Sequence, residues 1–552
     1  MQSTERVWHK AWPEDVPKDF EVAASIGDLL RQTAAANPQQ TAISFYGNDL
    51  SYALVDETID RLANALIGLG LAKGDRAGIF LQNSPQFVMG YFGILRAGGV
   101  VVCLNPMFKQ AELEYEITDA GCRMLLTSDN LYPEIAKLPG KAGLENIIVT
   151  WLGEYCPSHQ GFEPPPEVTR KSPPQDGTLD LQELLARASA QPPGIALDLR
   201  QDLALLQYTG GTTGLPKGAM ITHHALASSV LGSNYWFAHT GQDVCLGATP
   251  FFHIMGMTVG MCGTLLAGAR LVILARFIPE HVAQAISHYK VTAWVGATTM
   301  LVALLNMPGL ERYDFGSFRY VCTGGAPIGV ELQRRMLELA PQALIMEGYG
   351  LTESVSQGGA VTPRGRYKPG FVGVPHLSDM KIVDPGDPDK VLPANQEGEI
   401  AIKGPATFAG YWQRPEETAT VLRDGWVHTG DMGLLDEEGY LKLLGRQREL
   451  IKCSGFSVFP AEVEDLLYRH PAVGEVAVIG VPDSYRGESP KAFVIVKPGF
   501  QGQVSEEDIL AWAKENMAAY KRPREVVFCG ELPKSGAGKL LRRVLKEREE
   551  SA

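Results

Sequence analysis

The chain has 552 residues, which at roughly 150 residues per domain allows about three or four folding units. Hydrophobic residues make up 45% and charged residues 20%, so the composition excludes a disordered chain and a coiled coil. The formal net charge of −13 argues against a nucleic-acid partner, and eight cysteines without a C-x-x-C pair disfavour a zinc ribbon or a disulfide framework.

Helical and strand patterns alternate in the first third of the chain. Apolar residues recur at helical spacing over 51–71, and the short apolar segment 74–81 predicts a strand. A helix over 87–98 and a strand over 100–105 follow, and the same rhythm returns after residue 269. This alternation predicts an α/β fold of parallel sheets covered by helices.

Two segments interrupt this rhythm. Residues 152–180 are polar and rich in proline, which predicts a surface loop or insertion.

Val244 to Ala269 contains no Asp, Glu, Lys or Arg and is long enough to span a bilayer. Five glycines, Pro250 and His253 interrupt this segment, and we interpret its aromatic-proline turn TPFFHIMG as a loop between buried elements. With no apolar signal at the start of the chain, we expect a cytoplasmic protein without an integral membrane span, and peripheral membrane contact stays open.

The pattern of apolar and turn-forming residues changes near residue 370. Short strands separated by Gly and Asp turns predict a small β-rich subdomain over about 365–446. A compact α+β unit follows, with helix patterns in AEVEDLLYRH and EEDILAWAKENM and strand patterns in VGEVAVIGV and KAFVIVK. We therefore expect an N-terminal domain over 1–446 and a smaller C-terminal domain over 447–552.

The most informative stretch is LALLQYTGGTTGLPKG, in which a predicted strand enters a glycine-rich loop that is followed by a predicted helix. Glycines let backbone N–H groups approach phosphate oxygens closely, threonines add hydroxyl donors, and a lysine adds positive charge. The alternative is a structural glycine turn beside a surface lysine. The residues of this candidate phosphate loop are Thr209, Gly210, Gly211, Thr212, Thr213, Gly214 and Lys217.

Two further stretches carry groups suited to a nucleotide. In MEGYGLTES, Tyr349 offers an aromatic face for a base, Thr352 a hydroxyl, and Glu353 a carboxylate for Mg²⁺. In WVHTGDMG, Asp431 in a predicted turn suits a ribose diol, with an Asx-turn as the alternative.

The last two stretches lie near the C-terminus. Residues 451–459, with Lys452 and Gly455, predict a partly exposed loop. Lys539 follows two glycines in LPKSGAGK and precedes a basic helix. The alternative for Lys539 is an ordinary solvated lysine.

The five stretches, in this order, closely resemble the adenylate-forming superfamily of acyl-CoA synthetases, peptide-synthetase adenylation domains and luciferases. The resemblance extends from about Ile26 to Arg543. The family pattern Y-T-S-G-T-T-G-x-P-K-G appears as YTGGTTGLPKG, with Gly210 where serine is usual, so one hydroxyl donor is lost. The resemblance implies an enzyme that joins a carboxylic acid to AMP, releases pyrophosphate and passes the acyl group to a thiol, using ATP, Mg²⁺ and coenzyme A.

The resemblance also implies a role for each matching residue. It implies phosphate binding by Thr209 to Lys217, adenine stacking by Tyr349, α-phosphate binding by Thr352, Mg²⁺ binding by Glu353, ribose binding by Asp431 and Arg446, and bridging of the acyl carboxylate and α-phosphate by Lys539. It further implies that Gly324, Gly325 and Ala326 line the adenine and acyl pocket, that His253 lies beside the acyl carboxylate, that Arg448 is the hinge of a mobile C-terminal domain, and that the loop with Lys452, Ser454 and Gly455 serves thioester formation. For His253 a histidine satisfied in the core is the alternative.

The acid is the less determined substrate. The opening VWHKAWPEDVP, the LNPMF turn and the variant YTGGTTG look most like bacterial medium- or long-chain fatty-acid–CoA ligases. The expected acid pocket is apolar, which argues against amino acids and dicarboxylates; its residues are Trp236, Met255, Met257, Val295, Gly296 and Met300. An aryl acid, an acyl-AMP ligase that loads a carrier protein, a luciferase-like oxygenase and a catalytically silent nucleotide-binding scaffold remain alternatives, and the protein is expected to be a monomer or homodimer.

Overall fold

A computed structural model describes residues 6–156, 163–209, 215–325, 328–356, 358–453, 456–483, 485–536, 538 and 540–550. The helices are α1 (Ile26–Ala36), α2 (Tyr52–Gly68), α3 (Pro85–Arg96), α4 (Gln110–Ala120), α5 (Tyr132–Ala136), α6 (Pro166–Thr169), α7 (Leu181–Arg187), α8 (His223–Phe237), α9 (Thr264–Leu266), α10 (Pro279–Tyr289), α11 (Thr298–Leu305), α12 (Val330–Leu339), α13 (Pro415–Val421), α14 (Pro460–Leu467), α15 (Glu506–Asn516) and α16 (Arg542–Glu550). A π-helical segment, Gly256–Gly263, precedes α9.

The strands of the first half are β1 (Thr41–Phe45), β2 (Asn48–Ser51), β3 (Arg76–Phe80), β4 (Val100–Cys103), β5 (Cys122–Ser128), β6 (Asn146–Thr150), β7 (Leu179–Asp180), β8 (Leu203–Thr209), β9 (Lys217–Thr222), β10 (Val244–Gly247) and β11 (Arg270–Ile273). Those of the second half are β12 (Ala293–Ala297), β13 (Tyr320–Gly324), β14 (Leu344–Tyr349), β15 (Ala360–Val361), β16 (Val374–Pro375), β17 (Asp379–Asp384), β18 (Asp387–Val391), β19 (Gly398–Lys403), β20 (Leu422–Arg423), β21 (Trp426–Leu435), β22 (Leu441–Arg446), β23 (Ile451–Cys453), β24 (Phe456–Val458), β25 (Val473–Asp483), β26 (Gly487–Val496) and β27 (Glu525–Phe528).

Two large sheets form the first part of the molecule. One has nine strands in the order β16-β15-β14-β13-β12-β10-β11-β1-β2, and the other has seven in the order β7-β6-β5-β3-β4-β8-β9. Pairing is parallel from β1 through β14 in the first sheet and from β7 through β8 in the second. Antiparallel pairs lie at both ends of the first sheet and at the β9 end of the second. The prediction of an α/β fold with parallel, helix-covered sheets is confirmed.

Helix α3 shows how the two large sheets share one core. Ser84 caps it through its Oγ, which accepts from the Phe87 amide, and Pro85 occupies the first turn. Every residue of α3 is buried, and it packs in one cluster with Ile43 of β1 and Ile79 of β3. A helix that is buried on all sides needs packing partners all round it, and here helices α1 and α2 and strands β3 and β4 supply them.

Two smaller sheets follow in the chain. Strands β17 to β22 form a six-stranded antiparallel sheet, as the turn-rich texture of this region predicts, whereas β16 joins the nine-stranded sheet. Strands β23 to β27 form a five-stranded sheet covered by α14 and α15, with a hydrophobic cluster of its own. The predicted mixture of helices and strands after residue 446 is therefore present.

The structure corrects three predicted elements. The glycine-rich loop leads into strand β9 rather than a helix, because Lys217–Thr222 pairs antiparallel with β8; α8 begins only at His223, capped by Thr222. Residues 451–459 contain the paired strands β23 and β24 rather than a loop, and Ile451 and Cys453 are buried on either side of exposed Lys452. The segment 152–180 contains a 3₁₀ turn, α6 and β7, because Leu152 and Val168 are buried against the core.

The uncharged segment Val244–Ala269 contributes β10, the π-helical segment and α9 to the buried interior, with an irregular turn around Pro250 between them. The turn around Pro250 interrupts the segment as the sequence predicts, whereas Gly256, Gly260 and Gly263 lie within the π-helical segment and do not break it. Within the described ranges, the chain forms no helix that is both long and apolar enough to cross a membrane.

Candidate active site

Three of the predicted nucleotide-binding residues meet at the edge of the six-stranded sheet. Asp431 lies within strand β21, not in the predicted turn, and Arg446 ends the neighbouring strand β22 as its cross-strand partner. The Arg446 Nε lies 2.7 Å from Asp431 Oδ1, and the Tyr349 hydroxyl donates to Asp431 Oδ2 at 2.7 Å. This buried carboxylate fixes both the aromatic ring and the guanidinium.

The Tyr349 ring is held rigidly at the end of β14. Its side chain is 8% exposed, and burial, together with the Asp431 carboxylate, raises the pKa of the phenol well above its ordinary value. The hydroxyl therefore remains a donor to Asp431 at neutral pH. A ring fixed in this way offers a preformed face for a flat ligand.

Glu353 and Thr352 follow Tyr349 in a 3₁₀ turn, Thr352–Ser354. The Glu353 carboxylate accepts a hydrogen bond of 2.5 Å from the hydroxyl of Tyr411, which the sequence analysis missed. Burial and the neighbouring Glu353 carboxylate raise the pKa of the Tyr411 phenol, so it too remains a donor. The Nζ of Lys217 lies 5.4 Å from the centre of the same ring. Tyr411 thus joins two predicted site residues that are distant in sequence.

Thr209 and Lys217 stand at the two ends of the glycine-rich loop. They are cross-strand partners at the end of the β8–β9 hairpin, and both are half-buried. The Tyr115 hydroxyl of α4 donates to the carbonyl of Pro216 at 2.8 Å and so fixes the chain immediately before Lys217. The hairpin therefore presents the loop from a rigid base.

The predicted acid-binding residues come from several elements: Val295 and Gly296 lie on β12, Trp236 on α8, Met257 in the π-helical segment and Met300 on α11. Trp236 and Val295 belong to one buried cluster, and Met257 and Met300 belong to another. Met255 lies beside Gly324, where its Sδ is 3.2 Å from the position a Cβ would take, so a larger residue at Gly324 would need Met255 to move. Gly325 has φ +83° with open space around it. His253 is half-buried, and its Nδ1 accepts from the Met255 amide at 3.4 Å. The other predicted lining residues, Trp236, Met257, Val295, Gly296 and Met300, are buried.

A second missed residue is Glu347, two positions before Tyr349 on β14. It is 8% exposed, and burial raises the pKa of its carboxyl to about 7. Its Oε2 accepts from the Ile328 amide at 3.4 Å, next to the loop that follows β13. A carboxyl within an otherwise apolar strand was the signal in the sequence.

The remaining predicted residues lie in or near the five-stranded sheet. Arg448 is in the 3₁₀ turn Gln447–Glu449 between β22 and β23, and Lys452 is exposed on β23, where its amide donates to Glu488 Oε2 at 2.8 Å. Several predicted site residues lie outside the described part of the chain; they are Gly210, Gly211, Thr212, Thr213, Gly214, Ala326, Ser454, Gly455 and Lys539.

Two described glycines in the segment before α16, Gly536 and Gly538, contact the first part of the molecule. The Thr299 hydroxyl at the start of α11 donates to the carbonyl of Gly538 at 2.9 Å. A Cβ at Gly536 would lie 2.6 Å from the Asn105 Nδ2. Gly536 and Gly538 therefore lie against the first part of the molecule, and Gly538 is next to the start of α11, which carries the predicted acid-binding residue Met300.

Comparisons with known proteins agree with this arrangement. Residues 30–412 match the family model of the AMP-binding enzyme, and residues 462–539 match that of the AMP-binding enzyme C-terminal domain. A long-chain-fatty-acid–CoA ligase of Bacillus subtilis (strain 168) is 37% identical, and the alignment covers 100% of this chain and 99% of the relative. A feruloyl-CoA synthase of an Amycolatopsis species is 33% identical over 95% of this chain and 99% of its own.

A solved structure shows the same fold. The anthranilate CoA ligase AuaEII, in complex with anthranoyl-AMP, superposes with a TM-score of 0.86 at 28% identity and covers 97% of this chain and 98% of its own. The fold, the order of the motifs and the full-length relatives agree, and they confirm the superfamily predicted from the sequence. The chain belongs to the family of AMP-binding enzymes.

Proposed function

We propose that the protein is an ATP-dependent acyl-CoA ligase of the AMP-forming class. It activates a medium- to long-chain fatty acid as acyl-AMP with release of pyrophosphate, and then transfers the acyl group to coenzyme A. The observation that carries the proposal is a pair of contact sets among the predicted site residues. Tyr349 and Arg446 both contact the Asp431 carboxylate, while Tyr411 contacts Glu353 through its hydroxyl and Lys217 through the face of its ring. The names of the full-length relatives, which are acid–CoA ligases, support the same reaction.

The residues divide into groups by the part of ATP that each would bind. The Tyr349 ring would hold the adenine, while Asp431 and Arg446 would bind the ribose hydroxyls. Thr352 would bind the α-phosphate, and Lys217 with the glycine-rich loop would bind the outer phosphates. Lys539 would approach the acyl carboxylate and the α-phosphate, where negative charge accumulates as the new bond forms.

Mg²⁺ fits the groups that the site provides. Over the described ranges, no cluster of three or more His, Cys, Asp or Glu side chains could hold a metal ion by itself. Mg²⁺ is usually bound by one or two carboxylates together with substrate phosphates and water, and Glu353 supplies such a carboxylate. Glu353 would hold Mg²⁺, which when bound neutralises charge on the phosphates.

The acid is proposed from the apolar character of the residues that the sequence predicts to line its pocket. Trp236, Met257 and Val295 are buried and uncharged, and they suit an alkyl chain better than a second charged group. Each methylene buried in such a pocket contributes about 0.8 kcal/mol. The aryl alternative keeps specific support from the feruloyl-CoA synthase relative.

The two reaction steps are proposed to use two arrangements of two domains. The N-terminal domain would comprise residues 1–446 with the β-rich subdomain over about 365–446, and the C-terminal domain 447–552 would turn about Arg448. Lys539 would serve adenylation, and the segment around Lys452 and Gly455 would serve thioester formation after the rotation. We place the enzyme in the cytoplasm, where its eight free cysteines would stay reduced.

The test is a panel of acids with and without coenzyme A. Pyrophosphate release and acyl-CoA formation are measured for butyrate, octanoate, dodecanoate, palmitate, benzoate and coumarate. We expect kcat/KM to rise about fourfold per methylene until the chain fills the pocket. A preference of more than about tenfold for an aromatic acid over every alkyl acid would contradict the fatty-acid assignment alone.

Other outcomes of the panel separate the remaining alternatives. Pyrophosphate release without any acyl-CoA would favour an enzyme that loads a carrier protein. Light emission or oxygen uptake would favour a luciferase-like oxygenase. If no acid gives pyrophosphate, the result would favour a catalytically silent nucleotide-binding scaffold.

A further inference from the structure

The segment Phe408–Trp412 runs along the strand that begins at Lys217. The Trp412 amide donates to the carbonyl of Gly218 at 2.8 Å, and the Met220 amide donates to the carbonyl of Gly410 at 2.9 Å. Ala219 and Tyr411 form an antiparallel bridge between these bonds. The position of Lys217 is therefore tied to a segment almost two hundred residues further along the chain.

The same segment holds Glu353 through its backbone and a side chain. The Phe408 amide donates to the carbonyl of Glu353 at 2.9 Å, and the Tyr411 hydroxyl donates to Glu353 Oε1 at 2.5 Å. Glu353 thus has one carboxylate oxygen fixed by a buried donor. Among the described residues, no donor is bonded to the second oxygen, and we take it as the position for another ligand of this carboxylate.

The Tyr411 ring itself is held in place. It is 7% exposed and packs edge-on against Phe408 at 5.0 Å between ring centres. The next residue, Trp412, donates from its indole Nε1 to the carbonyl of Asp119 at 3.1 Å, and Arg414 pairs with the carboxylate of Asp119. These contacts hold the Tyr411 ring in place, so that it can orient the Glu353 and Lys217 side chains.

The Tyr411 ring meets the two predicted charged ligands at different places. The Lys217 Nζ lies 5.4 Å from the ring centre, within the range of a cation–π contact, while Glu353 is bonded to the hydroxyl at the edge. A lysine and a glutamate that face each other in a partly buried site attract strongly and would neutralise each other. Here the Lys217 ammonium contacts the face of the Tyr411 ring, and the Glu353 carboxylate accepts a hydrogen bond from the Tyr411 hydroxyl.

We propose that Tyr411 is a positioning residue that holds the Glu353 carboxylate in the orientation for Mg²⁺ and keeps the Lys217 ammonium apart from it, ready for phosphate. The inference rests on the proposed function, because it takes Glu353 as the metal ligand and Lys217 as the phosphate ligand. It adds a residue outside the five recognised motifs. Its hydroxyl acts on the metal through Glu353 and not by direct contact.

The test is ATP binding by titration calorimetry with the variant Tyr411→Phe, in buffer with Mg²⁺ and in buffer with EDTA. We expect the dissociation constant with Mg²⁺ to rise about tenfold, the effect of losing one hydrogen bond to a charged group, and the constant in EDTA to stay unchanged. Tyr440→Phe is the matched control, since its hydroxyl donates to the Arg366 carbonyl at 3.2 Å, away from these groups. An unchanged constant, or an equal rise with and without Mg²⁺, would overturn the proposal.

Glu353→Gln separates this proposal from the proposed function. If Glu353 is the metal ligand, Glu353→Gln alone abolishes most of the Mg²⁺ effect on ATP binding, and adding Tyr411→Phe changes little more. Tyr411→Phe could instead raise the ATP dissociation constant with Mg²⁺ by the same factor in the Glu353→Gln variant as in the parent. Tyr411 would then not act through Glu353, and the proposal fails. If Glu353→Gln leaves the Mg²⁺ effect intact, the metal role of Glu353 fails as well. Melting curves of each variant show whether the fold is kept.

Discussion

At the scale of single residues, the Asp431 and Glu353 carboxylates are each held by a tyrosine hydroxyl. Tyr349, Asp431 and Arg446 were each found in a separate motif, and the structure joins them through distances of 2.7 Å. Asp431 was expected in a turn, because Gly430 beside Asp is typical of turns; strand pairing with β22 decides otherwise. Tyr411 was missed because a tyrosine in GYW has no local pattern that distinguishes it from a core residue.

Glu116 on α4 gives a prediction for stability. It is 3% exposed, and burial, with the carboxylates of Glu112 and Asp119 adding to it, raises the pKa of its carboxyl to about 8. Because its pKa is higher in the folded state, Glu116 makes its full contribution to the free energy of unfolding at low pH. That contribution is lost as the pH rises from about 4.5 to about 8, since the unfolded chain releases its proton first.

The variant Glu116→Gln keeps the neutral form at every pH. We expect its melting temperature to exceed that of the parent by about 5 °C at pH 9, with the difference shrinking towards pH 5. Scanning calorimetry at pH 5, 7 and 9 measures this, with half-buried Glu114→Gln on the same helix as the control. A constant difference at all three values would mean that ionisation of Glu116 is not its cause.

At the scale of elements, long periodic helices and apolar strands were predictable, and short paired strands were not. Helix α2 and strands β3 and β4 lie where hydrophobic spacing places them. Strand β9 has only six residues, including Gly218 and Ala219, and its local preference is weak. Pairing with β8 and with the segment Phe408–Trp412 determines its conformation, and a local pattern does not contain such distant partners.

The loop that precedes α16 gives a prediction at this scale. The Gly538 carbonyl accepts from the Thr299 hydroxyl at 2.9 Å, which brings Gly538 beside the predicted acid-binding residue Met300. An ammonium about 4 Å from developing negative charge contributes on the order of 4 kcal/mol at an effective dielectric constant of 20. We therefore expect Lys539→Ala to lower pyrophosphate release from acid and ATP about a thousandfold.

The second half-reaction is the informative comparison for Lys539→Ala. Thioester formation from supplied acyl-AMP and coenzyme A should largely survive, because the lysine would turn away with its domain. Lys534→Ala is a control in the preceding residues, where the Lys534 Nζ pairs with Glu475 at 2.6 Å. Equal loss of both half-reactions would contradict a role confined to adenylation.

At the scale of the whole molecule, the change in sequence texture predicted a separate C-terminal unit but not its placement. The five-stranded sheet has its own hydrophobic cluster, which local periodicity signals. Its contact with the first part depends on pairs such as Thr299 and Gly538, which are 239 residues apart in sequence. These contacts depend on the arrangement of whole domains, which for a ligase of this class is expected to change between the two steps.

A substitution at Arg448 tests directly whether the C-terminal domain rotates between the two steps. It lies in the short turn Gln447–Glu449, which connects β22, carrying Arg446, with β23, carrying Lys452. If the two domains rotate about this turn, the backbone dihedral angles at Arg448 must change. Proline fixes φ near −65° and also restricts the preceding residue, so Arg448→Pro would oppose the rotation without removing an atom of the nucleotide site.

We expect Arg448→Pro to separate the two half-reactions. A single-turnover assay should still show acyl-AMP and pyrophosphate within about threefold of the parent rate, while steady-state acyl-CoA formation falls by about a hundredfold, since gating motions of this kind often limit turnover. Arg448→Ala, which removes the same side chain but leaves φ free, should retain most of the coupled reaction. Normal acyl-CoA output from the proline variant would show that the pivot lies elsewhere, and equal loss in the alanine variant would assign the effect to the guanidinium rather than to the backbone.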